Sequence, residues 1–416
     1  MCTIVGWNKN IPTEKAQYIL SQAKSRGRDG YGLEADGDIF KSVDINTPFD
    51  TSIYNAKKVV GNFRATPTTE AVTKEEYLQP YCGIVHNGVI ANDKDFFDFP
   101  VDSMVLPLVF KDITEDSTVE EFKEAVEKIK GSYALAFFRG DTLFAACNYK
   151  PIYYYWDDEG VVFASEGYMI PYPSVAMPAY SCAVIRGGKI TFAELQRKQS
   201  NKAIVSCSGG LDSTTVAYIL KEQGFDVTLA HFLYGCLAEK REVERIKQIA
   251  EYGGFNYVLI PMPNVMGGSI VEGYYNTENN GIKGAEYAED WVSARNLLML
   301  SILTAYAETH GFGYIAFGGN LEESGAYPDN EEEFAIRFNS LLPYAVQNGI
   351  KIELLHPVSR MMKYEIVKEG LRLNVPYELT WSCYGDGEKH CGICAPCYMR
   401  RTAFERNGVN DPVMSR

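Results

Sequence analysis

No run of apolar residues in this chain approaches the ~18 that a membrane-spanning helix needs, so the sequence offers no transmembrane segment and no membrane partner is expected. The opening MCTIVGWNKN lacks both the basic stretch and the apolar core of a secretory signal, which predicts a cytoplasmic protein. Positive charge is scarce as well: 40 Lys and Arg stand against 54 Asp and Glu, a formal net charge of -14. Split at residue 199, the chain carries 21 basic and 27 acidic residues before that point, and 19 and 27 after it. Neither half has the cationic excess of a nonspecific polyanion binder, although Lys389, His390, Arg400, Arg401 and Arg406 form a local cluster able to touch a phosphate. Internal repeats and low-complexity segments are absent too, which leaves an ordinary globular composition, 46% hydrophobic and 23% charged. The ten cysteines, in a reducing compartment, are expected as thiols or metal ligands rather than a disulfide framework.

A length of 416 residues exceeds what one hydrophobic core usually organises and predicts two domains of roughly 200 residues each. Residues 1 to about 195 read as short β-rich runs (CTIVGW, KVVGNF, CGIVHNGVI, YALAFF, TLFAAC, VVFASE, CAVIRG) with few helices, one of them around 117–130. That pattern predicts an α+β domain built on strand pairing. From Lys202 strand alternates with helix: AIVS, a Gly-rich turn and a helical stretch, then VTLAHF, a long charged helix near 238–252, and YVLIPM. Such alternation predicts an α/β domain with a doubly wound parallel sheet. The polar stretch ELQRKQSNK is the expected boundary, giving domains 1–195 and 196–416. Residues 265–290 lack clean periodicity and are rich in Gly, Asn and Tyr, as expected of a lid or substrate loop.

Removal of Met1 would make Cys2 the N-terminal residue, holding a thiol and a free α-amine in one atom cluster. The thiol can attack an amide carbonyl while the amine, with an ordinary pKa near ~8, shuttles the proton. A penultimate cysteine alone more often has no role; its companions carry the reading. HNG, His86 to Gly88, closing the apolar run CGIV, can present the Asn87 amide and the Gly88 N–H to a tetrahedral oxyanion. Arg64 in GNFRAT can pair bidentately with an α-carboxylate, and Asp102 in FPVDS can hold an α-ammonium, though each alone reads equally as a surface ion pair or a turn. In order and spacing, MC, RGRDGYG (26–32), FRAT, HNG, VDS, GSYALAFF, KPIYYY (150–155) and FASE (163–166) resemble the class II glutamine amidotransferases over nearly all of residues 1–170. The resemblance implies an N-terminal-nucleophile sandwich acting on glutamine. It implies Cys2 as nucleophile, Asn87 and Gly88 as the oxyanion hole, and Arg64 and Asp102 as glutamine binders. The 26–32 loop, with Arg26 and Gly30, would cover and complete the glutamine site.

In the second half, AIVS followed by CSGGLDSTT places Ser208, Gly209, Gly210, Asp212 and Ser213 at a strand-to-helix turn. Glycines let backbone N–H groups approach phosphate oxygens, the serines add hydroxyl donors, and the helix start adds its dipole. No lysine follows the glycines, so this is not the GxxxxGK[ST] loop. SGGLDS instead resembles the pyrophosphate loop of enzymes that split ATP into AMP and pyrophosphate, which implies ATP with Mg. Cys383, Cys391, Cys394 and Cys397 form C-x7-C-x2-C-x2-C, and four such thiolates can close a tetrahedral, structural Zn²⁺ site; the alternative is free thiols or a disulfide pair.

HFLYG (231–235), SARNLLMLSILTAYA (293–307), FGGNLEESGAYPDN (317–330), TWSCY and CGICAPCYMRRTAF resemble the 7-cyano-7-deazaguanine synthases over residues 202–410. The resemblance implies an ATP-pyrophosphatase-type fold. It places Asp329 of YPD on the guanine-like edge of the base, accepting from N1–H and the exocyclic amine, with Tyr327, Arg295 and Asn296 beside it. By itself Asp329 would equally be a turn residue after proline. Two departures stand out: CLAEKRE follows HFLYG where the family tends to have a Gln-Arg-His group, and Asn330 replaces a usual cysteine.

The fusion of the two halves resembles the fused amidotransferases assigned to archaeosine-type chemistry. That implies addition of ammonia to the nitrile carbon of 7-cyano-7-deazaguanine in a nucleic acid, giving the 7-formamidino base. A second expectation is ATP-dependent, glutamine-using conversion of free 7-carboxy-7-deazaguanine to the amide or nitrile, because addition to a nitrile needs no adenylate. An asparagine-synthetase-like enzyme would share the MC start and SGGLDS but has no reason to carry the four cysteines or YPD. A noncatalytic or protein-modifying relative is a further alternative, and loss of glutamine hydrolysis and ATP turnover in the purified chain would favour binding over catalysis. Expected partners are glutamine, a 7-deazaguanine derivative (free or in tRNA or DNA), and further copies of the chain in a homo-oligomer.

Overall fold

Alternating side chains build the first of two units, Met1–Arg197, the second being Lys198–Arg416. The computed structural model describes residues 2–66, 74–263, 265–272 and 291–414; most of the expected lid, residues 273–290, lies outside the described residues. In the first unit the strands are β1 (Thr3–Trp7), β2 (Gly30–Ala35), β3 (Asp38–Ser42), β4 (Val59–Arg64), β5 (Val85–Ile90), β6 (Gly131–Arg139), β7 (Thr142–Cys147), β8 (Tyr153–Asp157), β9 (Gly160–Ala164), β10 (Val175–Ala176), β11 (Ser181–Arg186) and β12 (Lys189–Glu194). They form two antiparallel sheets, ordered β10-β8-β9-β1-β4-β2-β3 and β12-β11-β7-β6-β5.

Successive strand residues point to opposite faces. Ala134, Ala136 and Phe138 of β6 therefore join Ile4, Val60 and Phe163 between the sheets, while Leu135 and Phe137 turn to the outer face. The helix Val119–Val126 covers that face with Phe122, Ala125 and Val126. It is the helix expected near 117–130, and a capping box fixes its start: the Thr118 hydroxyl accepts from the Glu121 N–H, and the Glu121 carboxylate accepts from the Thr118 N–H. On the outside of the other sheet, the helix Thr13–Arg26 lays Ala16, Ile19, Leu20 and Ala23 against Val5, Trp7 and Leu33. The outcome is the α+β, N-terminal-nucleophile sandwich that the sequence predicts.

Residues 26–32 depart from expectation. Arg26 ends a helix and β2 begins at Gly30, so only 27–29 form a turn. β2 pairs with β4 from Gly30 opposite Arg64 to Ala35 opposite Val59, and its Tyr31 and Leu33 are buried.

In the second unit β13 (Lys202–Ser206), β14 (Asp226–Leu233), β15 (Asn256–Pro261), β16 (Tyr314–Ala316) and β17 (Glu353–Leu355) form a wholly parallel sheet ordered β15-β14-β13-β16-β17. Ala203 and Val205 pack with the helices Leu211–Glu222, Glu239–Gly253 and Lys363–Arg372, and Ile204 with Arg295–His310 and Glu332–Ala345. Helices thus cover both faces, the expected doubly wound arrangement. The chain runs outward through β14 and β15 and then returns past β13 to β16, so the strand order reverses beside β13. Ligands of such sheets bind beyond the carboxyl ends of the strands at this reversal. Here the residues beyond Ser206 are the Gly-rich loop.

The cationic cluster near the C-terminus is not a uniform surface feature. Arg400 is fully buried, with Nε and Nη2 on the two oxygens of Asp411 (2.8 and 3.1 Å), Nη2 also on the Tyr377 carbonyl and Nη1 on Thr380 Oγ1. Its donors are engaged by these partners, and the side chain also borders the cavity beyond the Gly-rich loop. Among the described residues, no helix is long and apolar enough to cross a membrane.

Candidate active sites

Strand ends bring the first set of residues together. Cys2 directly precedes β1 and is partly exposed, with Sγ 3.9 Å from the carbonyl of Ala65. Arg64 ends the neighbouring strand β4, its Nε 3.3 Å from Thr66 Oγ1 and its Nη1 3.4 Å from the Tyr77 carbonyl. Asn62 of β4 donates to the His86 carbonyl of β5 at 2.9 Å, tying the two sheets at this point. HNG lies within β5 rather than after it, because Val85–Ile90 pairs along its whole length with β6. Asn87 is buried, and its amide nitrogen has no hydrogen-bond partner. A buried donor left unpaired costs about 1–3 kcal/mol, so an oxyanion here would satisfy it. Gly88 adopts φ +148°, and a Cβ there would sit 1.9 Å from the Ser132 carbonyl oxygen, so the strand tolerates only glycine.

The Asp102 carboxylate accepts from the N–H of Ile90 and of Ser103 (both 2.7 Å) and from the Ser103 hydroxyl (3.0 Å). Three of its roughly four acceptor directions are thereby used, leaving one for a ligand. Ser103 Oγ also lies 2.9 Å from His86 Nδ1, and burial holds His86 below its ordinary range despite the nearby Asp102. Tyr81, which sequence reasoning missed, sits in the fields of both Arg64 and Asp102, with its phenol pushed up by burial. Of the expected cover residues, Arg26 is ion-paired with Glu166, and Gly30 is locked in β2 opposite Arg64. Neither stands in an open loop.

In the second unit, the chain leaving β13 turns through Gly209 (φ +75°) into the helix Leu211–Glu222. Gly210 caps that helix with no side chain, so its first N–H groups remain available to an anion. The Gly210 N–H donates to Ser208 Oγ (3.2 Å), which lies 3.4 Å from Ser213 Oγ. One cavity gathers Ser208, Gly210, Asp212 and Ser213 with Arg295 and Asn296, whereas Gly209, Tyr327 and Asp329 do not line it. Tyr327 stacks on Trp291 with rings 11° apart in plane, and Asp329 is pushed up by burial against the pull of Arg295 and the Asn296 N–H.

The same cavity holds side chains that the sequence did not single out. Lys363 is buried, with Nζ 3.0 Å from Asp212 Oδ2 and 2.5 Å from Glu323 Oε1. Burial alone would lower this ammonium, but the two carboxylates outweigh it and hold it above its ordinary range. Asp212 Oδ1 is buried without a hydrogen-bond partner. Two carboxylates, one with an oxygen to spare, beside an open helix start are the oxygen donors a magnesium ion carrying ATP phosphates requires. His231, Cys236, Glu242 and Asn330 line the cavity too, so both departures from the family spelling face it.

The four C-terminal cysteines converge. Their sulfurs lie within 4.8 Å of one another, with Cys391–Cys397 at 3.9 Å and Cys383–Cys394 at 4.0 Å, and no disulfide joins them. Zn–S bonds of about 2.3 Å arranged tetrahedrally give S···S edges of about 3.8 Å. The cluster fits a metal such as zinc, and the backbone N–H of Trp381, which donates to the Gly209 carbonyl (2.9 Å), links its loop to the phosphate loop.

Fold and sites together define a glutamine amidotransferase domain joined to an ATP-utilising synthase domain, an enzyme of two catalytic parts. The glutamine amidotransferase domain family matches residues 72–171, and the queuosine biosynthesis protein QueC family matches residues 202–408. The chain is 39% identical to a 7-cyano-7-deazaguanine synthase of Sulfolobus acidocaldarius and to 7-cyano-7-deazaguanine synthase 2 of Sulfurisphaera tokodaii, each alignment covering 99% of both chains. A shorter 7-cyano-7-deazaguanine synthase, of Methanothrix thermoacetophila, is 39% identical over 51% of this chain and 97% of its own. The chain belongs to the QueC family, in the form that carries a fused glutamine amidotransferase domain.

Proposed function

We propose that this enzyme uses ammonia released from glutamine to convert the carboxylate of a 7-carboxy-7-deazaguanine to the amide or nitrile, with ATP activating that carboxylate. Cys2 is the nucleophile that takes the glutaminyl group and frees ammonia, with Asn87 and the Gly88 N–H stabilising the oxyanion. Arg64 and Asp102 hold the α-carboxylate and α-ammonium of glutamine. In the second unit Ser208, Gly209, Gly210 and Ser213 cradle phosphate oxygens, and Asp212 and Glu323 would hold a magnesium ion that neutralises phosphate charge. Arg295 and Asn296 face the acceptor, with Tyr327 and Asp329 next to them at the base-recognising side. Cys383, Cys391, Cys394 and Cys397 hold a structural zinc.

The observation that carries this reading is the shared cavity: the phosphate loop, the Asp212–Lys363–Glu323 cluster and Arg295 with Asn296 open into one space. ATP bound there would meet the acceptor directly, which is what adenylation requires. The names of the full-length relatives point the same way. A second reading, addition of ammonia to the nitrile of 7-cyano-7-deazaguanine in a nucleic acid to give the 7-formamidino base, draws support from Cys236 and Asn330, where the acceptor wall departs from the family spelling. Mass spectrometry of the base after incubation with glutamine and ATP separates the two. Free 7-carboxy-7-deazaguanine should gain nitrogen only with ATP, whereas a 7-cyano base in tRNA or DNA converted without ATP would establish the second reading instead.

A further inference from the structure

Glu242 lies on the first turn of the helix Glu239–Gly253, on the same stripe as the buried Ile246, Ile249, Ala250 and Gly253, so it points inward where its charged neighbours point out. Its side chain is only 14% exposed, and it lines the cavity that holds the phosphate loop and Arg295. His231 of β14 stands behind it, 2% exposed. His231 Nδ1 is 3.1 Å from the Cys207 carbonyl, an acceptor only, so Nδ1 carries the hydrogen and Nε2 is a bare lone pair. That Nε2 has no hydrogen-bond partner and lies 3.8 Å from Glu242 Oε2. A buried, unpaired acceptor facing a carboxyl in a ligand cavity is half of a proton path.

We infer that Glu242, backed by His231, is the acid–base group of the ammonia-adding step. This rests on the proposed 7-deazaguanine chemistry and holds for either acceptor. With an acyl adenylate, the ammonia nitrogen forms a C–N bond, the C–O bond to AMP breaks with its electron pair leaving on the phosphate oxygen, and the surplus proton on nitrogen passes to the Glu242 carboxylate. With a nitrile, a C–N bond forms and one π pair of the C≡N bond moves to the nitrile nitrogen. The Glu242 acid protonates that nitrogen and recovers a proton from the adding ammonia, so none is released.

Competing groups are less suited. Asp212 and Glu323 are ion-paired with Lys363 and are the carboxylates proposed above to hold magnesium. Burial and the Glu242 carboxylate push the Cys236 thiol, whose Sγ lies 3.7 Å from Glu242, above its ordinary range, so it stays protonated. Glu242 itself is raised to about 7, chiefly by burial and against the pull of Arg295, so both of its forms are present at neutrality. The other groups facing it, Glu239 and Tyr234, do not neutralise it: Glu239 accepts from the Gly235 N–H, and Tyr234 keeps its phenolic proton.

The test uses the full chain with ATP, magnesium, ammonium chloride and each acceptor, from about pH 6 to about pH 9, comparing wild type with Glu242→Gln and Glu242→Asp. Glu242→Gln should slow ammonia incorporation by about 100-fold or more and lose the rate change centred near pH 7, Glu242→Asp should recover part of the rate, and glutamine hydrolysis should be unchanged. Hydroxylamine is a weaker base than ammonia, so its adduct sheds the surplus proton to water more readily and the variant should show a smaller defect with it than with ammonia. A Glu242→Gln rate within about threefold of wild type with the same pH profile overturns the inference, and so does an equal defect with hydroxylamine, which marks a merely structural role. A wild-type chain that modifies no 7-deazaguanine acceptor overturns the proposed function and this inference with it, an outcome distinct from an active wild type with an active variant.

Discussion

Replacing Glu242 by glutamine should make the second unit more stable at alkaline pH and leave its stability unchanged in acid. Burial lifts this carboxyl from its ordinary 4.5 to about 7, against the opposing pull of Arg295. Between those values the folded protein keeps a proton that the unfolded chain has released, so folding becomes less favourable as pH rises and the penalty levels off above about 7. At about 1.4 kcal/mol per pH unit, the whole interval amounts to ~3 kcal/mol as an upper figure. Glutamine keeps the shape and cannot ionise. Wild type and variant should therefore open with equal free energy below about pH 4.5 and differ by up to ~3 kcal/mol near pH 8.5. Native-state hydrogen exchange of the amides in β13 and β14 reads the opening energy of this unit without interference from the other. Identical pH dependence in the two proteins, or a variant less stable in alkali, would refute the reasoning. Either would mean that Arg295 outweighs burial and the folded state holds an ionised, paired carboxylate.

Cys2→Ala should abolish glutamine-dependent product formation while leaving activity with added ammonium, and simultaneous loss of both would contradict the assignment of Cys2 as nucleophile. Serine at any one of Cys383, Cys391, Cys394 or Cys397 should release zinc and lower the melting temperature, since a structural site contributes folding energy outright; metal analysis that finds no zinc in well-folded wild type would sink this. Asp411→Ala should cost the second unit about 3–5 kcal/mol, because Arg400 is left buried and uncompensated, and a loss under about 1 kcal/mol in urea denaturation would show that water reaches the guanidinium instead.

Local patterns were legible where one physical rule dominates a segment. CTIVGW, KVVGNF, TLFAAC, VVFASE and CAVIRG correspond to β1, β4, β7, β9 and β11, since each strand buries one face between the sheets and the other beneath a helix. The change at Lys202 was legible for the complementary reason. Strands buried on both faces and separated by helices favour a parallel sheet, whereas its order, β15-β14-β13-β16-β17, is read only from the structure. RGRDGYG misled because its three glycines have the composition of a loop, while the strand signal there rests on Tyr31, Leu33 and Ala35 alone. CGIVHNGVI was legible as a β run despite its Asn-Gly pair, because the φ that glycine permits at Gly88 lets β5 continue past β6 without a break.

The cavity of the second unit was legible only where function resides in the backbone. Glycines and serines at a strand-to-helix turn bind phosphate through N–H groups whose direction the local chain sets, so their spelling is informative by itself. Proton-transferring and ion-pairing groups acquire their properties from desolvation, which depends on segments far apart in sequence. Lys363 in MMKYE has the spelling of a solvated lysine, and only the meeting of its helix with Asp212 and Glu323 makes it a buried cation. Glu242 is an intermediate case. EKREVERIKQIA spells a charged surface helix, but the spacing of Glu242 to Ile246 and Ile249 puts this one carboxylate on the apolar stripe. An acidic residue on the buried face of an amphipathic helix incurs a desolvation penalty that a neutral residue would avoid. Its presence beside an unpaired histidine nitrogen and a phosphate loop is accounted for if the carboxyl exchanges protons there, because that task needs the raised acidity range that burial produces.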